Sequence, residues 1–204
     1  MKIVFVTPGM TFGGAERVIS ILANIWCDIG HDVSLFITAT NRPSVYKLNK
    51  KIKVEYFEDY NENGVSHLKL ISTIRKFVIK EKPDSVISFM NDVCAYTIIA
   101  LLGTGIPVIY SERNDPNKTN QKKVEKLCRK IVENGAKHIV FQTHGARTGY
   151  SKKIQRKSSI ILNPVNLDKI PNRTKDEINY SEIVSVGRLE PQKNQELLID
   201  AFNI

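Results

Sequence analysis

The sequence predicts an α/β fold: a doubly wound parallel sheet of the Rossmann-like kind. Three observations predict it. Seven short apolar runs recur along the chain, most are separated by helical periodicity, and the runs are continuously apolar rather than alternating. A strand buried on one face alternates; a strand buried on both faces does not. Parallel strands joined by right-handed helical crossovers wind outward in two directions from the middle of the sheet.

KIVFVT (2–7) is the first strand. A helix follows over 15–29, with Val18, Ile21, Leu22, Ile25, Trp26 and Ile29 on one face and Gly30 ending it. DVSLFIT (32–38) and KVEYF (53–57) are the second and third strands. A helix over 65–81 places Leu68, Ile71, Ile74 and Val78 inward, and Pro83-Asp84 opens the fourth strand, SVISF (85–89). Another helix covers about 92–102, and Pro107 leads the fifth strand, VIYS (108–111). A long basic helix spans about 118–134 with Val124, Leu127, Cys128 and Ile131 inward. HIVFQ (138–142), a helix over about 144–154 and SIIL (159–162) complete the series.

After Asn163-Pro164 the texture changes. Residues 166–181, NLDKIPNRTKDEINYS, are polar and aperiodic and read as a linker. Residues 182–204 then open a new strand–turn–helix unit. The predicted organisation is therefore a first domain over 1–165, a linker over 166–181, and the first βα unit of a second, incomplete domain over 182–204.

Composition narrows the partners. The formal net charge is +9, from 30 Lys and Arg against 21 Asp and Glu. That sign suits phosphorylated ligands, nucleic acid or anionic membrane surfaces. No nucleic-acid motif is present, so nucleic acid is not expected. Cys27, Cys94 and Cys128 fall among apolar residues and form no CxxC pair, which reads as three small buried hydrophobes in a reducing cytoplasm. The four histidines lack metal-ligand spacing, so no metal is expected. The apolar N-terminal run is too short for a signal peptide, and AYTIIALLG is too short to span a bilayer.

In a doubly wound sheet, ligands lie at the carboxyl ends of the strands. The loop there after the first strand is TPGMTFGGAER (7–17). Ala15-Glu16 stands where a P-loop needs Lys and Ser or Thr, and GxGxxG is absent. What remains is Gly13-Gly14 at a helix N-terminus, which fits two readings: an anion cradle or a plain turn. Ser111-Glu112-Arg113-Asn114-Asp115-Pro116 follows the fifth strand, and its Glu and Arg are not turn formers, which favours a functional loop. Gly187-Arg188 and Lys193 form another strand-to-helix turn, either gripping phosphate or simply solvated. Among the histidines, only His144 lies in a carboxyl-end loop.

Three of these segments together resemble glycosyltransferase family 4, which has the GT-B fold: the strand–Gly13-Gly14-Ala15-Glu16-Arg17–helix unit, the Ser-Glu-Arg-Asn-Asp-Pro loop, and VGRLEPQKN after a linker. The stretch from Gln142-Thr143 through SKKI to KSSIILNPV (142–165) is similar to the family's passage into its linker. The resemblance implies two Rossmann-like domains, the first for the acceptor and the second for the nucleotide-sugar donor. It implies retaining sugar transfer without a metal or other cofactor. Gly13, Gly14, Arg188 and Lys193 then match donor-diphosphate contacts. Glu16, Glu112, Arg113, Asn114, Thr143, His144 and Asn163 fall at the acceptor or cleft positions. Many members carry a histidine near the end of the fifth strand; here Ser111-Glu112-Arg113 stand there, and no catalytic residue is assigned.

The implied partners are a nucleotide sugar and a glycan or polyprenyl-linked acceptor, in bacterial-type surface polysaccharide assembly. KKVEKLCRK (122–130) and RTGYSKKIQRK (147–157) fit either a solvated face or contact with an anionic membrane. The expected location is cytoplasmic, peripheral on the inner face of the membrane. With most of the donor domain missing, the 204-residue chain is expected to be inactive alone. Two rivals share the evidence: a nucleotide-sugar epimerase of the same fold, and a non-catalytic acceptor- or membrane-binding module.

Overall fold

A computed structural model describes residues 1–39, 43–58, 66–113, 122–164, 182–187, 189 and 193–202. The chain divides into two units, Met1–Pro164 and Val165–Ile204. The first unit holds seven strands: β1 (Lys2–Thr7), β2 (Asp32–Ile37), β3 (Lys53–Tyr56), β4 (Ser85–Phe89), β5 (Val108–Ser111), β6 (His138–Phe141) and β7 (Ser158–Ile160). They form one sheet in the order β3-β2-β1-β4-β5-β6-β7, every neighbouring pair parallel. The direction of winding reverses between β1 and β4, so the loops after these two strands flank the switch-point crevice.

The helices are α1 (Gly14–Asp28), α2 (His67–Glu81), α3 (Asn91–Ala100), α4 (Lys123–Gly135), α5 (His144–Thr148) and α6 (Lys152–Arg156), with α7 (Gln195–Phe202) in the second unit. Alternate strand residues feed two cores. Ile3, Phe5, Val33 and Leu35 meet Val18, Ile19, Ala23 and Cys27 of α1. Val4, Val6, Phe36, Val86 and Tyr110 meet α2, α3 and α4 on the other face. Burial on both faces is the reason β1 and β2 read as unbroken apolar runs. The cover is uneven, however. Ile109 and Val140, on the α1 face of β5 and β6, are only half-buried.

Several expected helix faces are rotated. Ile25 of α1 and Ile29 just past its end are exposed, and the contact runs instead through Ile19, Ala23 and Cys27. Ile19, Ala23 and Cys27 recur every four residues and so lie on one face, which is the buried arc. Leu68 of α2 is exposed while Leu70 and Phe77 are buried. In α4, Val124 and Leu127 are exposed, and Cys128 and Val132 make the buried contact. The expected start of that helix near 118 lies outside the described residues. The single helix expected over 144–154 is two short ones, because the chain turns at Gly149–Ser151 and Tyr150 packs on Phe141 at 4.9 Å between ring centroids. All three cysteines are buried, as their apolar settings suggest.

In the second unit, the strand expected over 183–186 is not formed. A strand needs a neighbour to take its N–H and C=O groups. Among the described residues none pairs with it, and Ile183, Val184 and Val186 are exposed. The polar segment 166–181 lies outside the described residues.

Candidate functional site

The loop after β1 is held by a bond of its own and by residues of the segment between β2 and β3. Thr7 Oγ1 donates to the Gly9 carbonyl at 3.2 Å, and Met10 is fully buried. The Val45 N–H donates to the Met10 carbonyl at 3.1 Å. The Tyr46 hydroxyl donates to the Gly13 carbonyl at 2.9 Å and accepts from the Gly13 N–H at 3.4 Å. So the backbone is held rigidly up to the first residue of α1, while Phe12 stands out in solvent.

No side chain caps α1. Its first N–H groups and its positive end therefore meet at one place beside the switch-point crevice. The two glycines differ there. Gly13 has an extended backbone, φ 174°, which any residue adopts. A Cβ on it would collide with the Glu16 carboxylate, which folds back over the turn. A Cβ on Gly14 would meet nothing within 4 Å. Neither backbone strain nor internal packing accounts for a glycine at 14, which is exposed with open space where a side chain would stand.

Across the crevice, Met90 follows β4 and precedes α3 with φ 69° and ψ 139°. A non-glycine residue rarely holds that conformation, and such strain collects at functional sites.

Glu112 and Arg113 leave the end of β5 in opposite directions. Glu112 is buried, not open to a cleft as expected. One carboxylate oxygen accepts the Arg113 backbone N–H at 2.9 Å; the other accepts the Tyr150 hydroxyl at 2.5 Å. The Arg129 guanidinium of α4 lies 4.1 Å from the centroid of the Tyr150 ring. Tyr110 is pushed well above its ordinary pKa by burial and then by the Glu112 charge. Burial raises Tyr150 too, with Glu112 adding to it, so both phenols stay protonated; Tyr150 donates to the carboxylate, while the buried Tyr110 hydroxyl has no hydrogen-bond partner among the described residues.

The Arg113 guanidinium crosses to the other face, 4.8 Å from the centroid of the Phe89 ring at the end of β4. Nη1 donates to the Asn163 side-chain oxygen, and the Asn163 amide donates to Gln142 Oε1 at 2.9 Å. Gln142 donates in turn to the Glu112 carbonyl at 3.3 Å. The ends of β4, β5, β6 and β7 are thus tied together around one cation. Burial lowers the Arg113 pKa to about 10, which leaves it charged at neutral pH.

The remaining sequence-derived residues separate. Thr143 is exposed and its Oγ1 accepts the Ala146 N–H at 3.1 Å, capping α5. His144 is exposed at the first position of that helix. Lys193 is exposed in the second unit, where its side chain runs beside Gly187. Asn114 and Arg188 lie outside the described residues. Among the described residues, no group of three or more His, Cys, Asp or Glu could hold a metal. Sequence reasoning missed Tyr150, Gln142, Phe89 and Tyr46, which fix the site from other elements. A single tyrosine or glutamine has no local pattern by which to find it.

Residues 12–169 match the family described as Glycosyltransferase Family 4. The chain is 28% identical over 215 residues to GalNAc-alpha-(1->4)-GalNAc-alpha-(1->3)-diNAcBac-PP-undecaprenol alpha-1,4-N-acetyl-D-galactosaminyltransferase of Campylobacter jejuni subsp. jejuni serotype O:2. The match takes in 99% of this chain and 56% of that protein, so the chain spans about half the length of this curated relative. Among solved structures, Anabaena HepE with UDP and glucose superimposes with TM-score 0.70 at 16% identity, over 99% of this chain and 57% of that one. The lipopolysaccharide outer core galactosyltransferase WaaB matches with TM-score 0.65 at 20% identity, over 87% and 50%. UDP-GlcNAc 2-epimerase from Methanocaldococcus jannaschii matches with TM-score 0.55 at 14% identity, over 79% and 45%. At these identities the structural matches speak to the fold.

Proposed function

The chain belongs to glycosyltransferase family 4 and has the fold of a GT-B N-terminal domain, and from that premise we propose that it is the acceptor-side half of a transferase that moves a sugar from a nucleotide sugar to a lipid-linked glycan. The observation that carries this reading is the uncapped start of α1, where Gly14 keeps room that the protein's own packing does not need. A phosphate there would receive backbone N–H groups and the helix dipole, the latter worth about 0.3–1 kcal/mol near the surface.

In this proposal Gly13 and Gly14 admit a donor phosphate. Arg188 and Lys193, from the second unit, are assigned the same chemistry. Glu16, Arg113, Asn114, Thr143, His144 and Asn163 are assigned to the acceptor or cleft. Glu112 supports Arg113 and Tyr150 and does not itself contact substrate. The retaining course and independence of metal are carried over from the family. A diphosphate-linked polyprenol acceptor is the class that the Campylobacter jejuni relative's name contains.

Membrane contact belongs to the same proposal. No described helix is long and apolar enough to cross a membrane. On α4, Lys123, Lys126 and Lys130 are exposed beside Val124 and Leu127, a basic face with apolar side chains among the charges. Such a face suits an anionic headgroup layer on the cytoplasmic side, each nearby cation adding about 1 kcal/mol.

An epimerase is the second reading, favoured by the shared fold. One assay separates them. The chain, alone and joined to a donor-binding half from a family member, is incubated with UDP-sugars, with and without a polyprenyl-diphosphate-linked glycan. The expected result is transfer only by the joined enzyme and only with acceptor. Isomerised UDP-sugar without acceptor would establish the epimerase. Brisk turnover by the 204-residue chain itself would overturn its assignment as a half-enzyme.

A further inference from the structure

Arg113 is built like a receptor and not like a structural ion pair. Its guanidinium is half-buried, yet no carboxylate among the described residues forms an ion pair with it. Glu112, its neighbour in sequence, turns its oxygens to the Arg113 backbone N–H and the Tyr150 hydroxyl instead. Nε is shut from solvent with no hydrogen-bond acceptor. Among the described residues only Nη1 is engaged, by Asn163, and that bond fixes the plane of the group above the Phe89 ring.

The cation is held in one orientation and partly stripped of water; the Glu112 charge lies near it, but burial outweighs that charge and no direct ion pair forms among the described residues. An oxyanion would supply what is missing, because a guanidinium presents paired donors that match phosphate oxygens. The place is right as well. Arg113 sits where β4, β5 and β7 end, and Phe89 beneath it shares a core cluster with Met10 of the glycine loop.

Resting on the transferase reading above, we propose that Arg113 is a phosphate-binding residue, oriented by Asn163, that takes a phosphate oxygen of a substrate diphosphate. Two substrates of such a reaction carry that group: the nucleotide-sugar donor and a polyprenyl-diphosphate-linked acceptor. The chemistry at Arg113 is the same for both. Asn163 and Gln142 act as positioning residues. Glu112, through the Arg113 backbone and Tyr150, holds the chain in the turn that aims the guanidinium.

The test uses the whole 204-residue chain at about 0.3 M salt, where exposed lysines are largely screened. Inorganic pyrophosphate, UDP and geranyl diphosphate are titrated separately, followed by calorimetry and by the arginine Nε–H resonances. The native chain is expected to bind pyrophosphate saturably and to shift the Arg113 Nε–H signal. Arg113→Met should weaken that binding about tenfold or more, the loss of a charge-assisted contact, while its melting temperature is unchanged or higher. Arg113→Lys should retain part of the affinity. Sensitivity of UDP to Arg113→Met assigns the donor phosphate, and sensitivity of geranyl diphosphate assigns the acceptor phosphate; either supports the site. Absence of saturable binding by all three probes overturns it. So does native affinity in Arg113→Met with a lowered melting temperature, the signature of a structural arginine. If Arg113→Met fails to fold, an Arg113 Nε–H signal in the native chain that pyrophosphate leaves unmoved overturns the site by itself. Pyrophosphate bound at Arg113 with no sugar transfer by the joined enzyme would overturn the transferase reading alone.

Discussion

Gly14 is a residue whose identity its own protein does not need. It has ordinary helical surroundings and open space where a side chain would stand. Gly14→Ala should therefore be neutral or stabilising by up to about 1 kcal/mol, since glycine is a poor helix residue. Gly14→Val should keep the fold but lower transfer by the joined enzyme about a hundredfold, because branched carbons would fill the path of a phosphate. Circular dichroism and steady-state turnover measured on the same samples check this. Normal turnover would reduce the pair to a turn. Lys82 is the opposite case: it closes α2 at φ 50° and ψ 56°, a left-handed conformation that glycine holds more easily. Lys82→Gly should raise stability by about 0.5–1 kcal/mol in urea melts.

Charge at the amino ends of the strands gives a pH dependence with a definite sign. Glu81 is buried and bonded to Lys53 and, at 3.1 Å, to Lys2. Burial pushes its carboxyl up, but the hydrogen bonds from Lys53 and Lys2 outweigh it, and the net direction is down from 4.5. Its stabilisation is complete above that value and is lost as pH falls through the lowered one. Lys2 moves the other way. The bond to Glu81 raises it above 10.5 against the opposing effect of burial, so its share is present below 10.5 and lost at higher pH. Thermal melts should show an acid limb below about pH 4.5, as the sign of the shift requires. In Glu81→Gln that limb should be flatter; an unchanged limb would place the acid sensitivity elsewhere.

At the scale of the element, α4 has an apolar arc wider than the surface it packs on. Cys128 and Val132 meet α3, while Val124 and Leu127 face water among lysines. A Leu127→Ser change should cost less than about 0.5 kcal/mol, the usual size for an exposed position. Val132→Ala, on the buried side, should cost about 2 kcal/mol. If α4 is the membrane face, Leu127→Ser should also weaken binding to vesicles of mixed phosphatidylcholine and phosphatidylglycerol, whereas Val132→Ala should not. Co-sedimentation decides between this face and an idle solvated helix: equal vesicle binding by native chain and Leu127→Ser discards the membrane role.

At the scale of the molecule, the two units differ in how much they bury. Phe5, Val6 and Leu35 have no exposure, while Val186, Ile199 and Phe202 are each more than half exposed. Burial of one such side chain is worth about 1.5–3 kcal/mol, and the second unit gains little of it. Backbone amides over 183–186 should therefore exchange with deuterium orders of magnitude faster than those of β1. Equal protection of the two segments in a monomer established by light scattering would refute this.

The sequence alone determined the seven strands, their parallel winding and the junction where Gly13 and Gly14 open α1. Those features rest on local rules: apolar runs, helical period, and glycine before a helix. It also located Arg113 and Asn163, but as separate residues fifty positions apart. Only the tertiary structure decided that Asn163 orients Arg113 over Phe89, that Glu112 turns inward to Tyr150, and that Leu68, Val124 and Leu127 face out. Each of these depends on which surface a neighbouring element presents. Periodicity defines an apolar arc on a helix, but the partner it packs against selects the part that is buried. The unformed strand at 183–186 has the same cause, since a strand's hydrogen bonds belong to a partner that its own residues cannot supply.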